Sequence, residues 1–129
     1  MDKLDREIEL FIAGLVLDPD SNTPIVILKD DSGDRCLPIW IGVNEATAIA
    51  SALKKVPLAR DLLHQIVDTL GGKVAKISIT RLEENTFFAN VEIINGEVVH
   101  QIDARPSDAL ALAVKVSAPI FVLDSVLTK

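Results

Sequence analysis

The most chemically distinctive part of the sequence is the segment Asp103-Ala-Arg105-Pro106-Ser107-Asp108, where a predicted strand meets a predicted helix. Such a turn lies at the rim of a sheet, beside the unpaired amides of a helix N-terminus. Asp103 and Asp108 could converge on one divalent cation, Mg²⁺ or Mn²⁺, because these ions prefer oxygen ligands. Arg105 could hold a phosphate through two hydrogen bonds. A cation bound there could polarise a phosphodiester and lower the pKa of a bound water.

Ordinary structural roles are also available for these residues. An acid in the first helical turn, such as Asp108, stabilises a helix by roughly 0.3–1 kcal/mol through the helix dipole. Ser107 would be an ordinary N-cap, and Asp103 and Arg105 could simply form an ion pair. The segment alone therefore leaves catalysis and helix capping open.

A second helix start with the same pattern lies 63 residues earlier. Asn44-Glu45-Ala46-Thr47-Ala48 has a cap residue, an acid and alternating alanines, as does Ser107-Asp108-Ala109-Leu110-Ala111. The repetition indicates either an internal duplication or two helices that obey the same capping rules. If the two halves are related, Glu45 and Asp108 could face one cleft. Otherwise Glu45 is a capping acid.

Structural roles are the simplest interpretation of three other side chains. His64 has Asp61 and Asp68 one helical turn away and could act as a general base, but a solvated helix face is the simpler interpretation. Trp40, the only tryptophan, is expected in core or subunit packing. Cys36 is the only cysteine, which excludes an internal disulfide and a cysteine-based zinc site and fits a reducing compartment.

Length and composition predict one domain, residues 1–129, with a real core. Hydrophobic residues make up 49% of the chain, and aromatics only 4%, which argues against an aromatic stacking platform for single-stranded nucleic acid. The N-terminus is too charged for a signal peptide, and no apolar run approaches the roughly 20 residues of a membrane span. These features, together with the single cysteine, predict a cytoplasmic protein.

The net charge of −6 argues against nucleic-acid binding, but the charge is unevenly distributed. Residues 54–82 contain six basic and two acidic residues, a local balance of +4. Lys54, Lys55 and Arg60 are the candidate phosphate-facing residues of this stretch. A solvated helix and strand face explains the same stretch without any ligand.

Periodicity and turn signals predict an α+β fold with mixed or antiparallel sheets of about seven strands and three helices, in the order βββααβββαβ. The predicted strands cover residues 6–17, 24–29, 34–41, 73–80, 86–94, 97–103 and 120–123. The predicted helices cover residues 45–54 after an Asn44 cap, 58–70 and 107–116. Pro38 indicates an edge strand or a bulge, and Glu83-Glu84-Asn85 and Asn95-Gly96 indicate hairpin turns. The third helix is apolar on every side, which predicts burial.

Two segments in this order resemble the bifunctional nuclease (BFN) domain family. They are Leu37-Pro38-Ile39-Trp40-Ile41-Gly42, followed by Glu45-Ala46, and Ile102-Asp103-Ala104-Arg105-Pro106-Ser107-Asp108-Ala109, followed by Ala111-Leu112-Ala113. The resemblance runs from about residue 8 to residue 127. It implies nuclease activity on both RNA and DNA, with nucleic acid as the partner.

One segment departs from the family pattern. Many members have Pro-x-Thr-His-Asp-Leu at the start of the second helix, where this chain has Pro57-Leu58-Ala59-Arg60-Asp61-Leu62. Arg60 cannot act as a base near neutral pH, so a mechanism that needs the histidine does not carry over. Arg60 could still bind phosphate.

The leading hypothesis is a metal-assisted nuclease with four catalytic residues: Asp103, Arg105, Asp108 and Glu45. The acids would hold the cation, and Arg105 would stabilise charge on the phosphoryl oxygens. The predicted substrate-binding residues are Arg60, Lys54, Lys55 and Ser107.

The alternative is a non-catalytic homo-oligomeric assembly or regulatory domain that binds nucleotides or other anions at its helix N-termini. The wide use of aliphatic residues predicts apolar surface shared between subunits, with a homodimer as the expected state.

Overall fold

The structure is a computed structural model that describes residues 6–53 and 61–127. Its strands are β1 (Glu7–Leu17), β2 (Pro24–Lys29), β3 (Cys36–Trp40), β4 (Lys73–Glu83), β5 (Thr86–Asn95), β6 (Val98–Ala104) and β7 (Ile120–Leu123). Its helices are α1 (Val43–Leu53), α2 (Asp61–Thr69), α3 (Pro106–Val116) and α4 (Asp124–Leu127). The predicted α+β class, strand number and element order are confirmed, with one addition, the short helix α4. None of the helices in these ranges is long and apolar enough to cross a membrane.

The seven strands form one mixed sheet in the order β3-β2-β1-β7-β4-β5-β6. β1, β2 and β3 form an antiparallel meander, and β4, β5 and β6 form another. β7 joins the two meanders, because it pairs antiparallel with β1 and parallel with β4. β3, which contains Pro38, forms one edge, as the proline predicted.

The core lies between one face of the sheet and the helices. Leu10, Ile77, Ile79 and Val122 are almost fully buried on the central strands. α3 packs against β4, β5 and α1. Its residues Ser107, Ala109, Leu110, Ala111 and Ala113 are buried, so the prediction of a buried third helix holds for most of its surface. The small alanine side chains allow the two helices to approach each other closely.

A bulge in β4 decides where Arg81 points. Ile79 pairs with Ala89 and Arg81 pairs with Phe88, so Thr80 is the extra residue. Neighbouring residues of β5 point to opposite faces, and Arg81 therefore lies on the face opposite to the buried Ile79. Without the bulge, Arg81 would share the core face.

The start of α3 differs from the prediction. The N-cap residue is Arg105, which has extended backbone and makes no side-chain cap hydrogen bond, and Pro106 opens the helix. The proposed Ser107 cap is therefore wrong, because proline suits the first helical position and leaves Ser107 in the first turn. Asn44 likewise lies inside α1, since the Ala46 amide donates to the Gly42 carbonyl.

Candidate active site

Two open clefts meet where three chain segments converge: the β3–α1 connection, the β4–β5 turn and the β6–α3 connection. The first cleft has a volume of about 330 Å³. Its walls include Trp40, Glu45, Phe87, Arg105 and Ser107. The second cleft has a volume of about 610 Å³. Its walls include Arg81, Phe87, Phe88, Asp103 and Arg105.

Arg105 belongs to both clefts and is held by one carboxylate. Its Nε and Nη2 atoms both donate to Oδ2 of Asp108, each at 3.0 Å. This hydrogen-bonded contact and the charge of Asp108 raise the pKa of Arg105, and the charge of Glu45 adds to the effect. The guanidinium is therefore a fixed cation between the clefts. Arg105 pairs with Asp108, so the alternative interpretation of an ion pair between Asp103 and Arg105 is wrong.

Glu45 lies in the first turn of α1 and faces the first cleft. Its carboxylate packs against Gly42, at a distance where a Cβ atom on that residue would collide with Oε1. Gly42 thus leaves room for the carboxylate at its present position. Glu45 and Arg105 both line the first cleft, and the charge of Glu45 contributes to the raised pKa of Arg105. Asp108 reaches this cleft only through its contact with Arg105, so a cleft shared by Glu45 and Asp108 stays a prediction.

Trp40 is half exposed at the wall of the first cleft, so it is not a core residue, and the alternative of subunit packing stays a prediction. Its indole Nε1 donates a 2.9 Å hydrogen bond to Oδ2 of Asp18. This bond is the main reason that the pKa of Asp18 lies below its ordinary value, and the amide of Asp20 contributes as well. The indole is thus anchored by its polar atom, while its ring remains accessible.

Arg81 is a site residue that the sequence analysis did not single out. Its guanidinium lies 4.2 Å from the centroid of the Phe88 ring, and its Nε lies 3.5 Å from Oε2 of Glu83. The predicted strand order did indicate that Arg81 lies near Asp103. β4 and β6 run in the same direction in a meander, so their C-terminal ends, which carry Arg81 and Asp103, lie at the same end of the sheet. The bulge that turns Arg81 away from the core has no comparable signature.

The aromatic residues are few but concentrated. Trp40, Phe87 and Phe88 line the clefts, and these are three of the five aromatic residues in the chain. Their location gives both clefts apolar walls beside permanent cations. This arrangement suits a ligand with anionic groups and flat rings.

The other predicted residues have different locations. Asp103 is exposed at the end of β6 and lines the second cleft. Ser107 is buried at the base of the first cleft. Lys54, Lys55 and Arg60 lie outside the described residues.

No group of three acidic, histidine or cysteine side chains that could hold a metal ion occurs within residues 6–53 and 61–127. The Mg²⁺ or Mn²⁺ site therefore stays a prediction. His64 is half-buried rather than solvated, and its Nδ1 is buried with no hydrogen-bond partner in the part of the chain that the structure describes.

Comparisons with known proteins agree with the resemblance to the bifunctional nuclease domain family that the sequence indicated. The model of the bifunctional nuclease domain family matches residues 26–129. An uncharacterized protein of Mycobacterium tuberculosis is 37% identical over 125 residues, which cover 94% of this chain and 74% of that protein.

Two plant proteins match at lower identity. Bifunctional nuclease 1 of Arabidopsis thaliana is 29% identical over 105 residues, which cover 75% of this chain and 32% of the plant protein. Bifunctional nuclease 2 of Oryza sativa subsp. japonica is 28% identical over 105 residues, with the same coverage of 75% and 32%. The matched region is therefore about a third of each plant protein.

Proposed function

The chain belongs to the bifunctional nuclease domain family, and from this premise we propose that it hydrolyses the phosphodiester bonds of RNA and DNA. The observation that supports this function best is the position of Arg105 between two open clefts, with a carboxylate in each, Glu45 in the first and Asp103 in the second. A phosphodiester in the clefts would meet a permanent cation and acidic oxygens on both sides. The names of the plant relatives point to the same reaction.

Two arginines supply the phosphate-binding part of the proposal. A guanidinium keeps its charge at every relevant pH and presents donors in a plane that matches phosphate oxygens. Arg105 would contact the scissile phosphate and stabilise the charge that develops on its oxygens. Arg81 would hold a neighbouring phosphate in the second cleft, while Phe87 and Phe88 contact the sugar or base.

The carboxylates supply the proton-transfer and cation-binding parts. Glu45 would accept a proton from the attacking water. Asp103 and Asp108 are the proposed ligands of Mg²⁺ or Mn²⁺, which would polarise the phosphodiester and acidify a bound water. Two carboxylates are sufficient for such an ion, because Mg²⁺ is commonly held by one or two acids together with waters and substrate phosphates. A cation at Asp108 would compete with Arg105 for Oδ2 of that carboxylate.

Lys54, Lys55 and Arg60 remain the proposed guides for the substrate backbone. They precede α2 in the sequence and lie in the stretch with a local charge of +4. Ser107 remains a proposed substrate contact at the base of the first cleft, where the amides of the first turn of α3 are also available.

The decisive test is hydrolysis of end-labelled RNA and single-stranded DNA by the purified protein, with Mg²⁺, with Mn²⁺ and with EDTA. We expect turnover with either ion and none with EDTA. Arg105→Gln should lower turnover by about 10²–10³-fold, as the loss of a group that stabilises developing charge does in other enzymes. Asp103→Asn should lower turnover because it removes a proposed ligand of the cation.

Arg35→Gln is the matched control for this assay. It removes the same charge from an exposed arginine that pairs with Asp124 at 3.0 Å, away from both clefts. Its turnover should equal that of the wild type. Equal turnover in Arg105→Gln and wild-type protein would mean that the clefts are not the site of hydrolysis.

A second candidate function is a non-catalytic, self-assembling domain that binds nucleotides or other anions. The exposed apolar residues of α2 and β6 favour this candidate, since they are suited to contact between subunits. It predicts that a nucleotide raises the melting temperature while no substrate is cleaved at any metal concentration. Cleavage that depends on Arg105 would rule it out.

A further inference from the structure

The two edges of the sheet are protected to very different degrees. β3, at one edge, has five residues, including Pro38, which has no amide hydrogen to offer. β6, at the other edge, has seven residues and no proline, lysine or arginine. Natural proteins use short strands, proline and lysine to prevent edge strands from pairing with other chains. β3 has such protection, and β6 lacks it.

The side chains of β6 add apolar surface to this open edge. Val98, Val99 and Ile102 are each 49–54% exposed. Val99 points to one face of the sheet, while Val98 and Ile102 point to the other, because side chains alternate along a strand. Residues 98–102 carry no acid, lysine or arginine that would oppose burial.

α2 carries a second exposed apolar surface, and its C-terminal end lies at the turn that leads into β6. Leu62, Leu63, Ile66 and Leu70 are 46–72% exposed, although their spacing is that of a helix face made for burial. The Asn95 side chain donates to the carbonyl of Leu70 at 3.5 Å, which fixes the end of α2 at the β5–β6 turn. We call the exposed apolar residues of β6 and of α2 through Leu70 the β6–α2 surface.

We propose that the β6–α2 surface is the interface of a homodimer in which the β6 strands of two copies pair antiparallel across a two-fold axis. An edge strand is self-complementary in this arrangement, since each copy supplies the amides and carbonyls that the other lacks. The two seven-stranded sheets then become one continuous sheet. The apolar side chains of β6 and α2 pack against their counterparts.

The size and charge of the surface favour a second copy of the chain as its occupant. A standard interface buries about 800 Å² on each partner and involves roughly 20–30 residues a side. β6 has seven residues and α2 has nine, so they supply more than half of that number. A membrane is a poor occupant, because the amides and carbonyls along the edge of β6 need hydrogen-bond partners that lipid does not supply.

The proposed dimer also bears on the clefts. Asp103 lies near the end of β6 and lines the second cleft. A strand paired with β6 would border that cleft and limit the entry of solvent from the sheet edge. The dimer itself does not depend on nuclease activity, because it rests on the sheet edge and on α2.

The first test is the mass in solution, measured by size-exclusion chromatography with light scattering. The wild type should have twice the 14.0 kDa mass of one chain. Ile102→Lys on β6 and Leu63→Glu on α2 should each lower the mass twofold. Leu17→Lys, at a similarly exposed leucine on β1, should leave the dimer intact. Circular dichroism identifies any variant that fails to fold.

Amide hydrogen exchange is the second test and uses the other sheet edge as an internal control. Exchange in β6 should be slower in the wild type than in monomeric Ile102→Lys, and exchange in β3 should be the same in both. A wild type with the mass of a single chain would overturn the proposal. So would an oligomer whose β6 amides exchange as fast as those of the monomeric variant.

Discussion

At the scale of single residues, the function of the clefts depends on what Arg105 contacts. In the structure its two donors meet Oδ2 of Asp108, which is also a proposed ligand of the cation. A cation would compete with Arg105 for Oδ2, because the two guanidinium donors already use the lone pairs of that oxygen. Substrate and metal binding should therefore release Arg105 from Asp108 towards the phosphate.

Replacing Asp108 tests whether this carboxylate binds the cation. We expect Asp108→Asn to abolish RNA hydrolysis or to raise the Mg²⁺ concentration needed for half-maximal rate, because an amide is a weak ligand. The measurement is the rate of cleavage as a function of Mg²⁺ concentration. Asp124→Asn is the control, since it removes a carboxylate from a similar arginine pair. A wild-type Mg²⁺ dependence in Asp108→Asn would remove Asp108 from the proposed cation site.

Gly42 tests the position of Glu45. In Gly42→Ala the new Cβ would collide with the Glu45 carboxylate, which can move because it ends a flexible side chain. We expect hydrolysis to fall by about 10²-fold, the typical cost of a misplaced catalytic group, with little change in melting temperature. Gly14→Ala is the control, because its Cβ would meet no atom within 4 Å. A large loss of stability without loss of activity would contradict a positioning role.

The sequence revealed part of the site and missed the rest for physical reasons. Glu45 and Asp103, which line the clefts, were singled out because each is an acid at a strand-to-helix connection, where side chains meet at the rim of a sheet. Ser107 was mistaken for a cap, since the preference of proline for the first helical position outweighs the capping preference of serine. Arg81 was missed because one extra residue in β4 changes the face on which it lies.

At the scale of elements, local patterns predicted each strand and helix better than their arrangement. The hairpins β4–β5 and β5–β6 follow from short turns, and Glu84 and Asn85 both adopt positive φ angles in the first of them. The position of β7 between β1 and β4 could not be derived in this way. Its parallel pairing with β4 depends on a crossover through α3, which no local signal specifies.

A polar contact links strands that β7 separates. Glu7 on β1 accepts hydrogen bonds from Lys76 and from the Ser78 hydroxyl on β4, the second at 2.9 Å. Desolvation by burial raises the pKa of Glu7, but the Lys76 and Ser78 hydrogen bonds and the Lys76 charge together bring it below the ordinary value of 4.5. The ionised form of Glu7 is therefore stabilised in the folded protein.

This shift predicts how stability changes with pH. A folded-state pKa below the unfolded value contributes stability that is complete above pH 4.5 and is lost as pH falls through the folded pKa. Glu7→Gln should therefore lower the melting temperature at pH 7, and the difference from wild type should shrink below pH 4.5. Thermal unfolding between pH 7 and pH 3 measures this. A Glu7→Gln difference that stays constant with pH would disprove the assignment.

At the scale of the whole molecule, the proposed binding of nucleic acid by an acidic protein requires local attraction. The net charge of −6 repels nucleic acid at long range, so attraction would come from the arginines of the clefts and from the basic stretch of residues 54–82. Each arginine that neutralises a phosphate releases counterions, which makes binding depend on salt. A short binding site makes few phosphate contacts, so its affinity should depend only weakly on salt. The loss of one arginine should then change the slope of log affinity against log salt by a measurable amount.

Arg81→Gln tests whether a phosphate of the bound strand contacts Arg81 in the second cleft. We expect weaker binding of a single-stranded RNA oligonucleotide, and a slope of log affinity against log salt that is smaller by about 0.7, the value for one phosphate contact on a single strand. Trp40 provides the signal, because it is the only tryptophan and lines the first cleft, where Arg81 does not reach. Arg35→Gln removes the same charge outside the clefts and should keep the wild-type slope. Equal slopes in Arg81→Gln and wild-type protein would mean that the bound strand does not cross the second cleft.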